Sequence, residues 1–460
     1  MNTNIIEELN VGDRFPLTIK QIGINGEGIG YFKHAIVFVP KAVPEDVIVC
    51  EITDVHPKFL NGKIHKIRTA SPYRNKDVNP LSNEVGGLEF AHINYEDQLE
   101  FKEDILRNSL ERYKPHAYDR YEIRPTIASP QQERYRNKAQ FPIQEIDGEI
   151  RCGLYKTGTQ ELVDLEDMPT QMELTMKAMR KIVDIIKELE LPVFNPENKS
   201  GIISMIVIRE SVEFNKLQVT FITRTKKFLK ERKLVELITD QIPEVSSISQ
   251  NINLEDQKGV WGDETRLVWG DEYLQEDING YTFNLSPRAF LQLNSLQTDH
   301  LYDLAEDALE PNQNDVLLDA YCGVGTIGIT MADKVEKVYG IEIIPEAIED
   351  AKKNAELNNI NNAEYYAGAV DKIYPELLAD GIEVNAMIVD PPRTGLEDRL
   401  IDTILDNPTE KLVYISCNPS TLAKDLTRLA SKYRVQYLQP VDMFPQTPHV
   451  ETIVKLEKRN

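Results

Sequence analysis

Apolar residues recur at two different periods along this chain, and the change from one to the other divides it. From about Asn10 to Arg68 they alternate with polar residues, as in Ala35-Ile36-Val37-Phe38-Val39-Pro40 and Asp46-Val47-Ile48-Val49-Cys50-Glu51-Ile52. Gly12, Gly23, Gly26, Gly28 and Gly30 supply turn positions between these runs. Five or so short strands at this spacing predict a small β-barrel of the OB type. Within it, Gly26-Glu27-Gly28-Ile29-Gly30 reads equally as a nucleic-acid-facing loop and as barrel-turn chemistry. A loop rich in Pro, Asn and Ser follows (71–84), then a helix over about 95–113 with Leu99, Ile105, Leu106 and Leu110 on one side. Helix-like stretches at 172–189 and 227–242 then alternate with strand-like ones at 202–209 and 217–223. From about Gln297 onward the order becomes strand, helix, strand. Apolar runs at 316–321, 337–342, 385–392 and 411–415, with a helical stretch at 345–358, predict a parallel, doubly wound sheet. The expected division is an OB-like barrel (1–70), a central α+β domain (71–280) and a Rossmann-like, mostly parallel α/β domain (281–460).

Composition narrows the class. The 460 residues suggest about three domains. Apolar residues at 41% and charged ones at 28% suit a soluble globular protein. No apolar run reaches membrane-spanning length. The start Met1–Glu8 is acidic and lacks a signal-peptide pattern. Cys50, Cys152, Cys322 and Cys417 are far apart and form no CxxC pair, which disfavours a disulfide framework or a four-Cys metal site. A reducing cytoplasm is expected. The net charge of −23 weighs against a phosphate-bearing partner, yet such binding needs only a local basic face. Residues 134–138 and 224–233 are basic stretches, and a solvated surface is the simpler reading of the second.

Chemistry enters at Gly323-x-Gly325-x-x-Gly328, with Glu342 at the distance of a ribose-binding acid. A dinucleotide oxidoreductase and a methyltransferase using S-adenosyl-L-methionine share that pattern. Asp319 just before the turn resembles the D-x-x-x-G-x-G signature of class I methyltransferases, and Asp390-Pro391-Pro392-Arg393 after the third strand resembles their [DN]-P-P-x motif, which favours the methyltransferase. Ser416-Cys417-Asn418-Pro419 places a thiol at the carboxyl end of a fourth strand, just before a helix. Ligands bind at that edge of such sheets, and a helix amino terminus favours the nucleophilic thiolate.

Taken together the motifs resemble the RNA uracil-C5 methyltransferase family, over nearly the whole chain. They are Tyr95-Glu96-Asp97-Gln98-Leu99-Glu100-Phe101-Lys102, Tyr135 to Pro142, Ser286 to Asn294, Leu318 to Gly325, Asp390 to Gly395, Ser416 to Pro419, and Asp442 to Glu451. The first 70 residues resemble the RNA-binding TRAM domain. The resemblance implies Cys417 as nucleophile and Glu451 as the base that removes the C5 proton. It implies Gln292, Tyr321, Glu342 and Asp390 as contacts to S-adenosyl-L-methionine. Uracil C5 is too poor a nucleophile to take a methyl unaided, which is why a thiolate must first add at C6. His449 is expected to be structural or positioning, and Tyr135, Arg136 and Lys138 to hold the RNA.

Two departures follow. Thr326 stands where many members carry Asn. Val85-Gly86-Gly87-Leu88 stands where many carry the Cys-Gly-Gly-Cys of an iron–sulfur cluster, whose ligands must be thiolates. No iron–sulfur cluster is therefore expected, and Val85 and Leu88 are expected to pack. This pattern resembles the cluster-free bacterial branch that modifies 23S ribosomal RNA, so a cytoplasmic, monomeric enzyme acting on 23S rRNA is expected, with transfer RNA as the alternative target. A 5-methylcytosine enzyme is disfavoured because the Asp390-Pro391-Pro392 motif holds no Cys. An NAD-dependent oxidoreductase and a non-catalytic RNA-binding or ribosome-assembly factor are the remaining rivals.

Overall fold

The computed structural model describes residues 9–254 and 259–459, so the acidic start Met1–Glu8 lies outside the described residues. The period-two alternation at the start closes on itself. Strands β1 (Arg14–Ile22), β2 (Gly28–Phe32), β3 (Ala35–Val39), β4 (Val47–Val55) and β5 (Phe59–Thr69) form a closed barrel in the order β1-β2-β3-β5-β4. Their inward positions, among them Leu17, Ile19, Val37, Val39, Ile48 and Cys50, make its core. Asp46, fully buried at the head of β4, pins the loop that follows the barrel. Its carboxylate accepts from the backbone N–H groups of Val43 (2.8 Å) and Ser71 (2.9 Å) and from Arg74 Nε (2.9 Å) and Nη2 (2.6 Å). A buried charge is tolerated only when paired and hydrogen-bonded in this way. Val85 and Leu88 are both 2% exposed, as packing residues.

Helix α1 (Tyr95–Tyr113) keeps the expected ends. Its buried face is more polar than expected: Gln98 and Lys102 lie on it beside Phe101, Ile105, Leu106 and Leu110, whereas Leu99 is only half-buried. A short strand, β6 (Glu122–Ile123), follows.

The central stretch is an α+β layer. It comprises β7 (Lys138–Ile146), β8 (Glu149–Tyr155), β9 (Leu162–Asp164), α2 (Glu173–Glu188), β10 (Ile203–Ser211), β11 (Lys216–Thr223), α3 (Glu231–Gln241), β12 (Val245–Ile252) and β13 (Glu264–Gly270). The strands lie in the order β13-β12-β11-β10-β7-β8-β9. Helix α3 starts four residues later than the apolar pattern suggests, because Lys230 adopts a left-handed backbone (φ 50°). The basic run 224–233, which enters the first turn of α3, meets local partners: Lys226 pairs with Glu264 (2.8 Å) and Lys233 with Glu236 (2.9 Å).

Next come the hairpin β14 (Leu274–Ile278) and β15 (Tyr281–Leu285), then α4 (Ser295–Leu309), β16 (Val316–Ala320), α5 (Thr326–Met331), β17 (Lys337–Glu342), α6 (Pro345–Leu357), β18 (Ala363–Ala367), α7 (Val370–Ala379), β19 (Ala386–Val389) and α8 (Asp398–Asp406). Strands β18-β17-β16-β19 are parallel neighbours, the expected doubly wound arrangement. The chain ends with β20 (Lys411–Ser416), α9 (Pro419–Leu429), β21 (Tyr433–Val441) and β22 (Glu451–Lys458). β22 runs antiparallel to β21, and β21 runs parallel to β6.

Packing divides these elements between two compact units. One unit takes the chain up to Ser129 together with Pro391–Leu396 and the chain from Tyr414, and the other takes Pro130–Asp390 with Glu397–Val413. The barrel, α1 and α9 thus share a unit with Cys417 and Glu451. Among the described residues no helix is long and apolar enough to cross a membrane. The joint after the barrel is directly testable. Replacing Asp46 by Ala leaves Arg74 without its partner, and urea denaturation should then show a loss of about 3–5 kcal/mol. A loss below about 1 kcal/mol would mean the pair is not the joint.

Candidate active site

In the first unit, β20 delivers Cys417 to a turn that α9 closes. Pro419 takes the first helical position, where its missing N–H costs nothing, and Asn418 caps the helix by accepting from Ser420 N (3.0 Å). Asn418 Nδ2 donates to Arg393 O (2.9 Å), sewing the Pro391–Leu396 segment onto the Cys417 turn. Asp425 of α9 secures the far end of that segment, accepting from Leu396 N (2.9 Å) and Tyr414 Oη (2.9 Å). Gly395 is required there: its φ is +79°, and an added Cβ would stand 2.6 Å from Asp425 Oδ2. Cys417 is partly exposed, whereas the other three cysteines are buried. Burial pushes the Cys50 thiol up to about 11 and that of Cys152 up to about 12, and Cys322 is raised well above its ordinary value for the same reason.

Glu451 is the first residue of β22, buried and paired in register with Val441 of β21. The loop between these strands is held by one face of α1. Lys102, with no exposed surface, donates to Asp442 Oδ1 and to Phe444 O (3.1 Å). Tyr95 Oη donates to Asp442 Oδ2 (2.8 Å). Gln98 and Gln446 exchange two bonds of 3.0 Å, Gln98 Nε2 to Gln446 Oε1 and Gln446 N to Gln98 Oε1. Burial lowers the Lys102 pKa, and Asp442 opposes that shift. His449 Nε2 lies 3.4 Å from Arg393 Nη2, and its ring meets Phe444 edge-on.

In the second unit, a turn with left-handed residues follows β16. Tyr321 takes a left-handed conformation (φ +67°), an uncommon state for a bulky residue that clusters at binding sites. Its hydroxyl donates to Glu397. Gly323 is also left-handed, and a Cβ there would meet nothing within 4 Å, so the turn borders open space. Gly328 serves packing: a Cβ would lie 2.9 Å from Val338 and 3.0 Å from Asp319 Oδ2. At the end of β17, Glu342 Oε2 accepts from Gly323 N (3.3 Å) and Oε1 from Ile344 N (3.0 Å). Burial pushes the Asp390 carboxyl up to about 7. Asp319 is pushed up to about 7 as well, chiefly by burial, against the bond it accepts from Gly328 N (2.8 Å) and with help from the charges of Asp390 and Glu342. Its Oδ1 has no hydrogen-bond partner among the described residues. Gln292 is buried, and its carbonyl accepts from Asn137 Nδ2 (3.0 Å). Thr326 is 2.9 Å from Tyr302 Oη, an internal bond.

The six expected site residues thus fall into two sets. Cys417 and Glu451 share the first unit; Gln292, Tyr321, Glu342 and Asp390 share the second. Among the RNA-holding candidates Tyr135 needs correction, because at 1% exposure it is a core residue. Lys138 lies over the Trp261 ring (5.4 Å), and burial pushes its ammonium down to about 7. Sequence reasoning assigned no role to Tyr95, Gln98 and Lys102. Their spacing of three and then four residues puts them on one helix face, which was the available signal. No group of three or more His, Cys, Asp or Glu side chains placed to hold a metal ion occurs among the described residues.

Comparison with known proteins concerns the chain as a whole. The sequence profile of the tRNA (uracil-5-)-methyltransferase family matches residues 94–459, and that of the TRAM domain matches residues 8–65. An uncharacterized RNA methyltransferase of Lactiplantibacillus plantarum is 48% identical over 452 residues, 98% of this chain and 94% of that one. One of Listeria monocytogenes is 44% identical over 461 residues, covering 100% of both chains. The crystal structure of Pyrococcus abyssi tRNA (uracil-54, C5)-methyltransferase in complex with S-adenosyl-L-homocysteine is similar with a TM-score of 0.75 and 27% identity, over 96% of this chain and 99% of that one.

The raised Asp319 carboxyl sets a pH dependence. A folded value above the unfolded one means stability that is full below about pH 4 and is lost as pH rises towards about 7. The melting temperature of the ligand-free protein should therefore fall between pH 5 and pH 8, and Asp319→Asn should shrink that fall. Equal slopes for the two proteins, by differential scanning fluorimetry, would contradict the assignment.

Proposed function

The chain belongs to the tRNA (uracil-5-)-methyltransferase family, and we propose that it forms 5-methyluridine in 23S ribosomal RNA by covalent addition of Cys417 to uracil C6. The accessibility of Cys417 carries this reading. Of the four cysteines it is the one left partly exposed, at a strand end just before a helix start that favours an anion.

S-adenosyl-L-methionine is the methyl donor, and the second unit fits it. A backbone turn borders open space at Gly323, and the carboxyls of Asp319, Glu342 and Asp390 suit a cationic ligand. Gln292, Tyr321, Glu342 and Asp390 would hold it, Glu342 through the ribose hydroxyls. Bound there, it supplies an electrophilic sulfonium methyl for uracil C5. The thiolate of Cys417 adds to C6 and makes C5 enolate-like, the form that accepts the methyl. Glu451 then takes the C5 proton, the C5–C6 double bond reforms, and the C6–S bond breaks to return the thiolate. The barrel, as a TRAM domain, binds RNA, and the base must leave its stack to reach the thiol.

The ribosomal target rests on Val85-Gly86-Gly87-Leu88, where buried apolar side chains stand in place of cluster thiolates, the pattern of the branch acting on large-subunit RNA. Transfer RNA is the second reading, favoured by the Pyrococcus abyssi neighbour, itself a tRNA (uracil-54, C5)-methyltransferase. Mapping 5-methyluridine in RNA from a strain lacking this chain separates them. Loss at one or two uridines of 23S rRNA, with transfer RNA unchanged, is expected. Loss confined to transfer RNA would overturn the ribosomal assignment and leave the chemistry intact.

A further inference from the structure

The turn between β1 and β2 of the barrel abuts the loop that leads into Glu451. Gly26, in that turn, has φ +86°, and a Cβ built on it would stand 3.1 Å from Phe90 Cε1 and 3.3 Å from Pro448 Cγ. The turn has its own internal bonds, from Gly23 N to Glu27 O (2.7 Å), Gly26 N to Gly23 O (3.0 Å) and Asn25 N to Glu27 Oε2 (3.0 Å). Both residues it meets belong to the support of the base. Pro448 is buried and lies three positions before Glu451. Phe90 is fully buried, donates from its N–H to Gln446 O (2.8 Å), and accepts at its carbonyl from Gln98 Nε2 (3.1 Å). Phe90 also packs with Ile22 at the end of β1, with Val43, and with Phe101 and Ile105 of α1. The loop from Asp442 to Val450 is thus clamped between α1 and the barrel turn. Gly12 offers the contrast: it is equally left-handed (φ +94°), but a Cβ there would meet nothing within 4 Å.

We propose that the barrel turn Gly23–Glu27 is a positioning element for removal of the uracil C5 proton, acting through Pro448 and Phe90 on the loop that carries Glu451. The inference rests on Glu451 being the base. It assigns the barrel a part in the last step of the reaction, in addition to any contact with RNA. In that step the C5 proton passes to the Glu451 carboxylate, the C5–C6 double bond reforms and the C6–S bond to Cys417 breaks. A displaced loop slows this elimination and leaves addition of Cys417 untouched, so the covalent protein–RNA adduct persists.

The test is a single-turnover reaction with S-adenosyl-L-methionine and RNA from the deletion strain, 23S rRNA and transfer RNA in separate arms. It reads methyl incorporation and the lifetime of the denaturation-resistant adduct. Gly26→Val should incorporate methyl within about twofold of the unaltered protein while lengthening adduct lifetime by about tenfold or more, towards the ~10²–10⁴-fold that loss of a general base costs. Pro448→Ala added to Gly26→Val should shorten the lifetime again, by vacating the space. Gly12→Val, with the same backbone strain and no neighbour, should behave as the unaltered protein. If Gly26→Val fails to fold by its melting curve, Phe90→Leu, which opens the same contact, takes its place with the same expected outcome. Weakened RNA binding with unchanged adduct lifetime would overturn the proposal and make the turn an RNA contact only. Glu451→Gln separates the two readings. If it accumulates adduct and the turn variants do not, the inference alone fails; if it accumulates none, the base assignment fails and the inference with it.

Discussion

A lysine ammonium and an aspartate carboxylate without exposed surface, Lys102 and Asp442, tie α1 to the strand end from which the loop leading to Glu451 departs. Two buried charges cost several kcal/mol each to desolvate, and their attraction repays this only with good geometry and further hydrogen bonds. Those bonds are present: Phe444 O takes a second donor of Lys102, and Tyr95 satisfies the other oxygen of Asp442. Apolar residues of similar volume would hold helix to strand as firmly. The polar set therefore contributes register, since an ammonium, a phenol and a primary amide on successive turns of α1 accept only one path of the 442–450 loop. Losing one partner would strand the other charge, at about 3–5 kcal/mol, a large share of a protein's net stability.

A different electrostatic device operates in the second unit. Asp319 and Asp390 sit in surroundings that push both carboxyls up to about 7, with Glu342 adding its charge to the field at Asp319. Clustered carboxyls with little exposure are costly for an empty protein and favourable for a cationic ligand. For the proposed cofactor site this local field matters more than the net charge of −23.

Much of this was legible in the sequence, for identifiable reasons. The strands on either side of the Gly323 turn are largely buried apolar runs, and β17 has the expected ends. Cys417 could be placed because a strand, a turn and a capped helix succeed one another within ten residues. The partners of α1 could not be read, because Lys102 and Asp442 are 340 residues apart and a lone lysine in a helix reads as solvated. Tyr135 was misplaced by its basic neighbours. The alternation of buried Tyr135, Asn137, Ala139 and Phe141 points it inward, and that period outweighed the local charge. The late start of α3 depends on one left-handed lysine, a backbone state that composition does not announce. The sharing of one unit by the barrel and the C-terminal strands was equally hidden, since contacts such as those among Gly26, Phe90 and Pro448 leave no trace in any periodicity.

The central claim is that Cys417 is the nucleophile, and locating the bond it forms is its most direct test. RNA containing 5-fluorouridine blocks the final proton removal, so incubation with S-adenosyl-L-methionine should leave the protein joined to RNA. After proteolysis and nuclease digestion, tandem mass spectrometry should find the modified nucleotide on the peptide carrying Cys417. A nucleotide on any other residue, or no adduct under conditions where the cofactor is bound, would contradict the account.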